Sequence, residues 1–346
     1  MLYAATRTKA HVETAYRAIH QDCAPDGGLF VPFRMPEYTL GEIAKLAEHS
    51  FGQNIADILN AFFSVGLTGW DVDFAIGRNP LKINSISHRI LIAECWHNSL
   101  WQFSYFEQAL SDRIRTENAG SAPANWVSIA IRIAMLFGIY GQLLKEGSVE
   151  LNTPLDVSVT SGDFAAPMAA WYAKKMGLPI GNIICGCNAN GGIWDLLHKG
   201  EFSTSATCVK TCTPEVDIAI PRNLERLICG ALGYEETERY LNCCRTGTIY
   251  APKEEDFDTL RADLFASVIS DDRLQNSIYN VYRTSGYVFG PYSALAYGSL
   301  QDYRARTGES RTALLLTEKS PSCDVELVAK FMQVDVSEVF RRISQA

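Results

Sequence analysis

Two turns in this chain set polar side chains between a strand-like run and a helix-like run, a setting that commonly presents a reactive group. The first is HNSLWQFSYF, residues 97–106, which follows ILIAECW and leads into FEQALSDRI. It offers His97, Asn98, Ser99, Gln102 and Ser104, but no lysine, cysteine or carboxylate. A serine of ordinary pKa is a poor proton shuttle near neutral pH. No spacing among His97, Ser104 and Asp163 marks a nucleophilic triad. The second turn is SGDFAAP, residues 161–167. It is a small-residue turn between a strand-like run and a helix-like run, with Gly162 beside the carboxylate of Asp163 and with Pro167, which has no N–H to give, at the helix start. Asp163 reads more simply as the N-cap of the helix MAAWYAKKM.

The elements that carry these turns follow from the apolar pattern. LDVSVT, residues 155–160, and LPIGNIICGC, 178–187, are strand-like, and each precedes a helix-like run, with Gly177 placed as a C-cap. Such alternation builds βαβ units on a parallel sheet. KINSISHRILIAECW reads as extended, RTALLLT as a buried strand and DVELVAKFM as a last amphipathic helix. EETERYLNCC and KEEDFDTLRADLF read as exposed helices. EYTLGEIAKLAEHS and FGQNIADILNAFFSVG place a helical unit near the N-terminus, after the turn and short strand of DGGLFVP. WVSIAIRIAMLFGIYGQLL, 126–144, nears membrane-spanning length, but Arg132 at its centre favours a buried core helix.

Composition narrows the function. With 346 residues, 47% hydrophobic and 20% charged, the chain is ordinary for a globular protein. A net charge of −8 without a long basic block argues against nucleic acid as a partner. MLYAATRTKAHVETAYRAIHQD lacks the apolar centre of a signal peptide, so a cytoplasmic protein is expected. The ten cysteines include a CxC at Cys185 and Cys187, but no CxxC pair answered by a second. Idle thiols in a reducing compartment, with no metal site, are the expectation.

The segment VTSGDFAAPMAAWYAKKMGLPIGNIICGCNANGGIWDLLHKGEF resembles the threonine synthase family, with its VPTGNFG, YYAKKMGLP and ATNxND motifs. LYAATRT is similar to the family's YxSTRG, CAPDGGLFVP to LAPDGGLYVP, TPEVDIAIPRNLERL to SPAMDIxxxSNFERL, and GYVFGPYSA to GYxxDPHTA. The resemblance runs in order from residue 2 to about 323. It implies the α/β fold of the fold type II pyridoxal phosphate (PLP) enzymes, like the tryptophan synthase β chain: a parallel sheet flanked by helices. The family's activity would convert O-phosphohomoserine and water to threonine and phosphate, with PLP as the electron sink.

The resemblance also shows what has changed. The family's PLP lysine, in HGPTLAFKDF, aligns with Ser104, which cannot form an imine with the cofactor aldehyde. Its phosphate loop aligns with Ser161, Gly162, Asp163, Phe164 and Ala165. Asn125 and Trp126 match NSxNWxR, but Ser128 stands at the arginine. DPHTA is answered by Gly290 to Ala294, with Ser293 at the threonine. Thr317 is placed either to reach a pyridine nitrogen or simply to end a strand. A stretch on the order of 80 residues, the size of a small domain, is missing between the two motifs. The resemblance therefore implies a threonine-synthase-type N-terminal helical domain (1–88), a remnant of the small domain (89–124) and a large α/β domain (125–346). No cofactor is expected, unless Lys82 or Lys319 replaces the lost lysine and holds PLP; Lys174 and Lys175 are expected to face solvent. The former cleft, framed by Trp96, Trp101, Phe103 and Phe164, is expected to receive a small molecule or another protein, with no nucleic acid and no membrane as partner.

Overall fold

The computed structural model describes residues 1–8, 10, 12–76, 81–96, 103–114 and 125–345. Among them the strands are β1 (Leu2–Ala5), β2 (Val12–Thr14), β3 (Phe30–Pro32), β4 (Lys82–Ser87), β5 (Ile90–Glu94), β6 (Leu155–Thr160), β7 (Ile180–Cys187), β8 (Phe202–Ser203), β9 (Ile249–Tyr250), β10 (Leu264–Val268) and β11 (Ala313–Thr317). Six of them form the main sheet, in the order β10-β7-β6-β11-β5-β4. Every neighbouring pair is parallel except β4 and β5. Parallel strands are covered on both faces, which is why β6, β7 and β11 are almost continuously buried.

Successive side chains on these strands enter different cores. Ile183 and Leu314 join the helix Ala165–Lys175 in one cluster. Ile184 and Leu315 join the helix Pro291–Thr307 in the other. The first cluster extends into the N-terminal region. Tyr3 is fully buried, donates its hydroxyl to the Phe62 carbonyl at 2.9 Å, and meets the Trp126 ring edge-on at 6.1 Å.

Three sequence readings need correction. KEEDFDTLRADLF is not one exposed helix: the helix stops at Arg261, and Leu264 opens β10, paired with Ile183. No glycine or proline marks that boundary. The helix Tyr234–Thr246 is only partly exposed; Glu236 is buried and accepts from the Tyr250 hydroxyl at 3.1 Å. The helix Val325–Met332 is not the last, because Val336–Gln345 follows it. LYAATRT, unassigned in the sequence, supplies β1 at the centre of the three-stranded sheet β2-β1-β3.

The helix Asn125–Lys145 is the one helix among the described residues long and apolar enough to cross a membrane, yet it lies inside the protein. It packs against Phe51–Phe63 and Ala165–Lys175, and small residues bring the backbones together. A Cβ on Gly141 would stand 2.5 Å from the Asn54 amide nitrogen and 2.8 Å from the Leu46 carbonyl oxygen. Gly141→Ala is therefore expected to destabilise the fold by about 1–3 kcal/mol, because neither neighbour can move cheaply. A denaturant midpoint equal to that of the parent would contradict this packing. Between the end of β5 and this helix, the described residues hold a single element, the helix Phe103–Ile114.

Candidate functional site

In open α/β sheets, ligands bind beyond the carboxyl ends of the parallel strands. A cleft of about 270 Å³ lies there, where β6 turns into the helix Ala165–Lys175 and where β11 ends. Gly162 and Phe164 both take positive φ (+44° and +68°), so the chain reverses tightly after Ser161. Phe164 holds this strained conformation with its side chain fully buried. Asp163 is not the N-cap; Phe164 is. Asp163 precedes the cap, and its Oδ1 accepts from the Ala165 N–H at 3.0 Å. The loop's own carboxylate thus takes a donor that a phosphate would use.

The Asp163 arrangement is held from outside the loop. The Asn223 backbone N–H and side-chain amide both donate to the Asp163 carbonyl at 3.1 Å, and the amide also donates to Oδ2 at 3.2 Å. Neighbouring Glu225 accepts from Arg7 Nε and Nη2, each at 3.1 Å, and from the Thr6 hydroxyl. Arg226, fully buried, donates through Nε and Nη2 to the Phe30 carbonyl at 3.0 and 2.9 Å. Stretches far apart in sequence, LYAATRT, DGGLFVP, SGDF and NLERL, thereby form one continuous hydrogen-bonded unit.

The cleft's cations are already engaged. Arg132 binds Glu318 through two bonds of 2.8 and 2.9 Å, Glu107 at 3.1 Å, and Ser128, which lies one helical turn earlier. Although burial works against its charge, Glu107 and Glu318 hold Arg132 above the ordinary arginine range. Burial pushes Glu318 up, against the pull of Arg132. Lys319 lies against the Tyr292 ring at 4.7 Å and bridges Glu215 at 2.8 Å and Asp324 at 3.5 Å. Burial alone would lower its pKa, but the bond to Glu215, with Tyr292 and Asp324 nearby, raises it overall. Lys319 is therefore a firmly protonated ammonium.

The other expected residues fall elsewhere. Ser104 is exposed in the first turn of Phe103–Ile114 and does not line the cleft. Thr317 is buried; its hydroxyl donates to the Ala93 carbonyl at 2.9 Å and accepts from the Trp96 indole at 3.1 Å. Ser293 is buried in the first turn of Pro291–Thr307. Asn125 begins the long helix. Lys82 lies on the edge strand β4, away from the cleft lining. Lys174 is half-buried against Asp263 and the Gly181 carbonyl, each at 2.6 Å, so it does not point freely to solvent. Trp96 and Phe164 are core residues and cannot frame an open surface. His97, Asn98, Ser99, Trp101 and Gln102 lie outside the described residues. His198 bonds the Ala266 carbonyl at 2.8 Å, and no three metal-ligating side chains gather among the described residues.

Sequence reasoning missed the role of Arg132, and missed Glu107, Glu215 and Glu318 entirely. The one available signal was a lone arginine in an apolar helix, which demands buried counter-charges.

On β5, opposite Thr317 of β11, Glu94 accepts from Tyr287 and from Asn84, both at 2.7 Å. Burial nevertheless raises its pKa. The folded state then holds this proton more tightly than the unfolded chain does. Its contribution to stability is full at low pH and is lost as pH rises from about pH 4 toward neutrality. Glu94→Gln is expected to flatten that loss, read from urea midpoints across the range; an unchanged slope would contradict it.

Residues 2–73 match the family model described as "Threonine synthase N terminus". Threonine synthase-like 1 of Homo sapiens is 29% identical over 176 residues, which is 50% of this chain and 24% of that protein. The chain is thus similar to threonine synthases and to threonine synthase-like proteins. It thus spans about a quarter of the length of the threonine synthase-like 1 proteins that it matches. The threonine synthase of Buchnera aphidicola subsp. Schizaphis graminum is 27% identical over 231 residues, 67% of this chain and 47% of that one. The fold is that of the solved threonine synthases. The PLP-bound enzyme from Brucella melitensis superposes with a TM-score of 0.83, covering 99% of this chain and 94% of that one at 17% identity. The yeast enzyme gives 0.80, with the same coverage and identity. The chain therefore has the fold of the type II PLP enzymes.

Proposed function

We propose that this threonine-synthase-like chain is a non-catalytic, cytoplasmic protein that holds no PLP and keeps its cleft as a binding or regulatory site for a small molecule or a protein partner. The observation that carries this reading is Asp163, whose carboxylate takes the Ala165 N–H at the helix start. A cofactor phosphate would meet like charge there and lose a donor. Ser104, at the position of the imine-forming lysine, supports the reading, because it is exposed and off the cleft lining. Neither nucleic acid nor a membrane enters this role. Purified protein mixed with PLP is expected to show no Schiff-base absorbance and to release no phosphate from O-phosphohomoserine.

A second reading, a PLP-dependent threonine synthase with a displaced lysine, draws on one specific fact. Lys319 lines the same cleft as Gly162 and Asp163. Imine formation requires a free amine, and Glu215 and Asp324 hold this one as an ammonium. An adduct mapped to Lys319 after borohydride reduction, and absent from Lys319→Met, would establish this second reading in place of the first.

A further inference from the structure

Antiparallel sheets commonly turn one face to the core and a polar face to water. The sheet β2-β1-β3 departs from this. Its inner face carries Tyr3, Ala5 and Phe30, all fully buried. Its outer face follows from the register. Ala4 opposes Val12 on one side and Val31 on the other, Leu2 opposes Thr14, and the Phe33 N–H extends β3 to the Leu2 carbonyl at 2.9 Å. Residues opposite one another, and residues two apart on a strand, share a face. Leu2, Val12 and Phe33 are thus apolar side chains set together toward solvent, 52%, 44% and 61% exposed. Beside them lies an open groove of about 550 Å³, with Met1, Met35, Pro36 and Ala61 in its lining. A contiguous apolar surface of this kind marks a contact with another macromolecule.

Two charges indicate which macromolecule. Arg34 and Glu37 line the same groove, are exposed, and form no ion pair among the described residues. A patch that holds an exposed ring, a groove to receive it, and one unpaired charge of each sign is complementary to itself. Self-complementarity is what a two-fold contact requires, because residue i of one copy meets j of the other while j meets i. We infer that two copies of this chain pair through this face, the Phe33 ring of each seated in the groove of the other and Arg34 of each set against Glu37 of the other. The cleft takes no part in this contact, so the inference is independent of the non-catalytic reading.

The test is sedimentation velocity of the full chain from about 1 to about 100 µM, a range that spans weak and moderate association. The mass is expected to rise from monomer to dimer across it, and Phe33→Asp should hold the chain as a monomer throughout. Arg34→Glu and Glu37→Arg, each alone, should raise the dimer Kd about tenfold or more, because like charges then face each other twice across the axis. An equimolar mixture of these two variants should dimerise again, since every glutamate then meets an arginine. That recovery separates a lost contact from a damaged fold. A parent chain that stays monomeric at the highest concentration would overturn the inference and leave the face to a different partner. So would a Phe33→Asp or single charge variant that associates like the parent, or a mixture that does not recover.

Discussion

Arg226→Ala is expected to be among the most disruptive single substitutions in this protein, costing about 3–5 kcal/mol. The guanidinium is wholly buried, lies 5.7 Å over the Trp126 ring, and donates to the Phe30 carbonyl and the Asn223 side chain. Burial draws its pKa down to about 10, so it remains charged at neutral pH. Truncation would leave a cavity and a buried carbonyl without its donors, and would release the Asn223 side chain that steadies Asp163. Arg226→Lys keeps the charge but cannot fork to the same acceptors, so a smaller loss, about 2 kcal/mol, is expected. Chemical denaturation of both variants checks the pair, and equal losses would show that charge, not geometry, is what the site needs.

Arg132→Met is expected to destabilise the protein by about 3 kcal/mol, since it leaves Glu107 and Glu318 facing each other with their shared cation removed. Arg132 and Glu107 expose only 15% of their side chains, whereas Glu318 exposes 32%, which keeps the expectation at the lower end for a buried pair. The loss should shrink in acid, where protonation relieves the two carboxylates. Replacing Glu107 and Glu318 with glutamine in the same chain should recover much of it. A triple variant no more stable than Arg132→Met would show that the guanidinium acts through packing rather than charge.

These two arginines illustrate how much the sequence carried. Arg226 stands in NLERL, and its bonds reach Phe30 in DGGLFVP, so a motif resemblance was enough to flag it as part of the fold. The parallel strands were also legible, from the apolar run ALLLT and from the β-branched LDVSVT, each bounded by polar turns. β10 was not, because LFASV follows an acidic helix without a breaking residue between them. The cleft was half legible. The turn SGDFAAP advertised a phosphate loop with a carboxylate inserted, and the structure puts that carboxylate at the edge of the cleft. The hub of Glu107, Arg132 and Glu318 was not legible, since its members are separated by 25 and 186 positions and only the folded chain brings them together. Trp96 and Phe164 were misread as a docking frame because an aromatic residue's exposure cannot be told from its neighbours in sequence.

The most direct test of the central claim, that no amine in this cleft holds the cofactor, is intact-mass analysis after incubation with PLP and borohydride reduction. Unmodified chain is the expected result. A stoichiometric adduct, mapped by peptide analysis to Lys319 or any other lysine lining the cleft, would contradict the account.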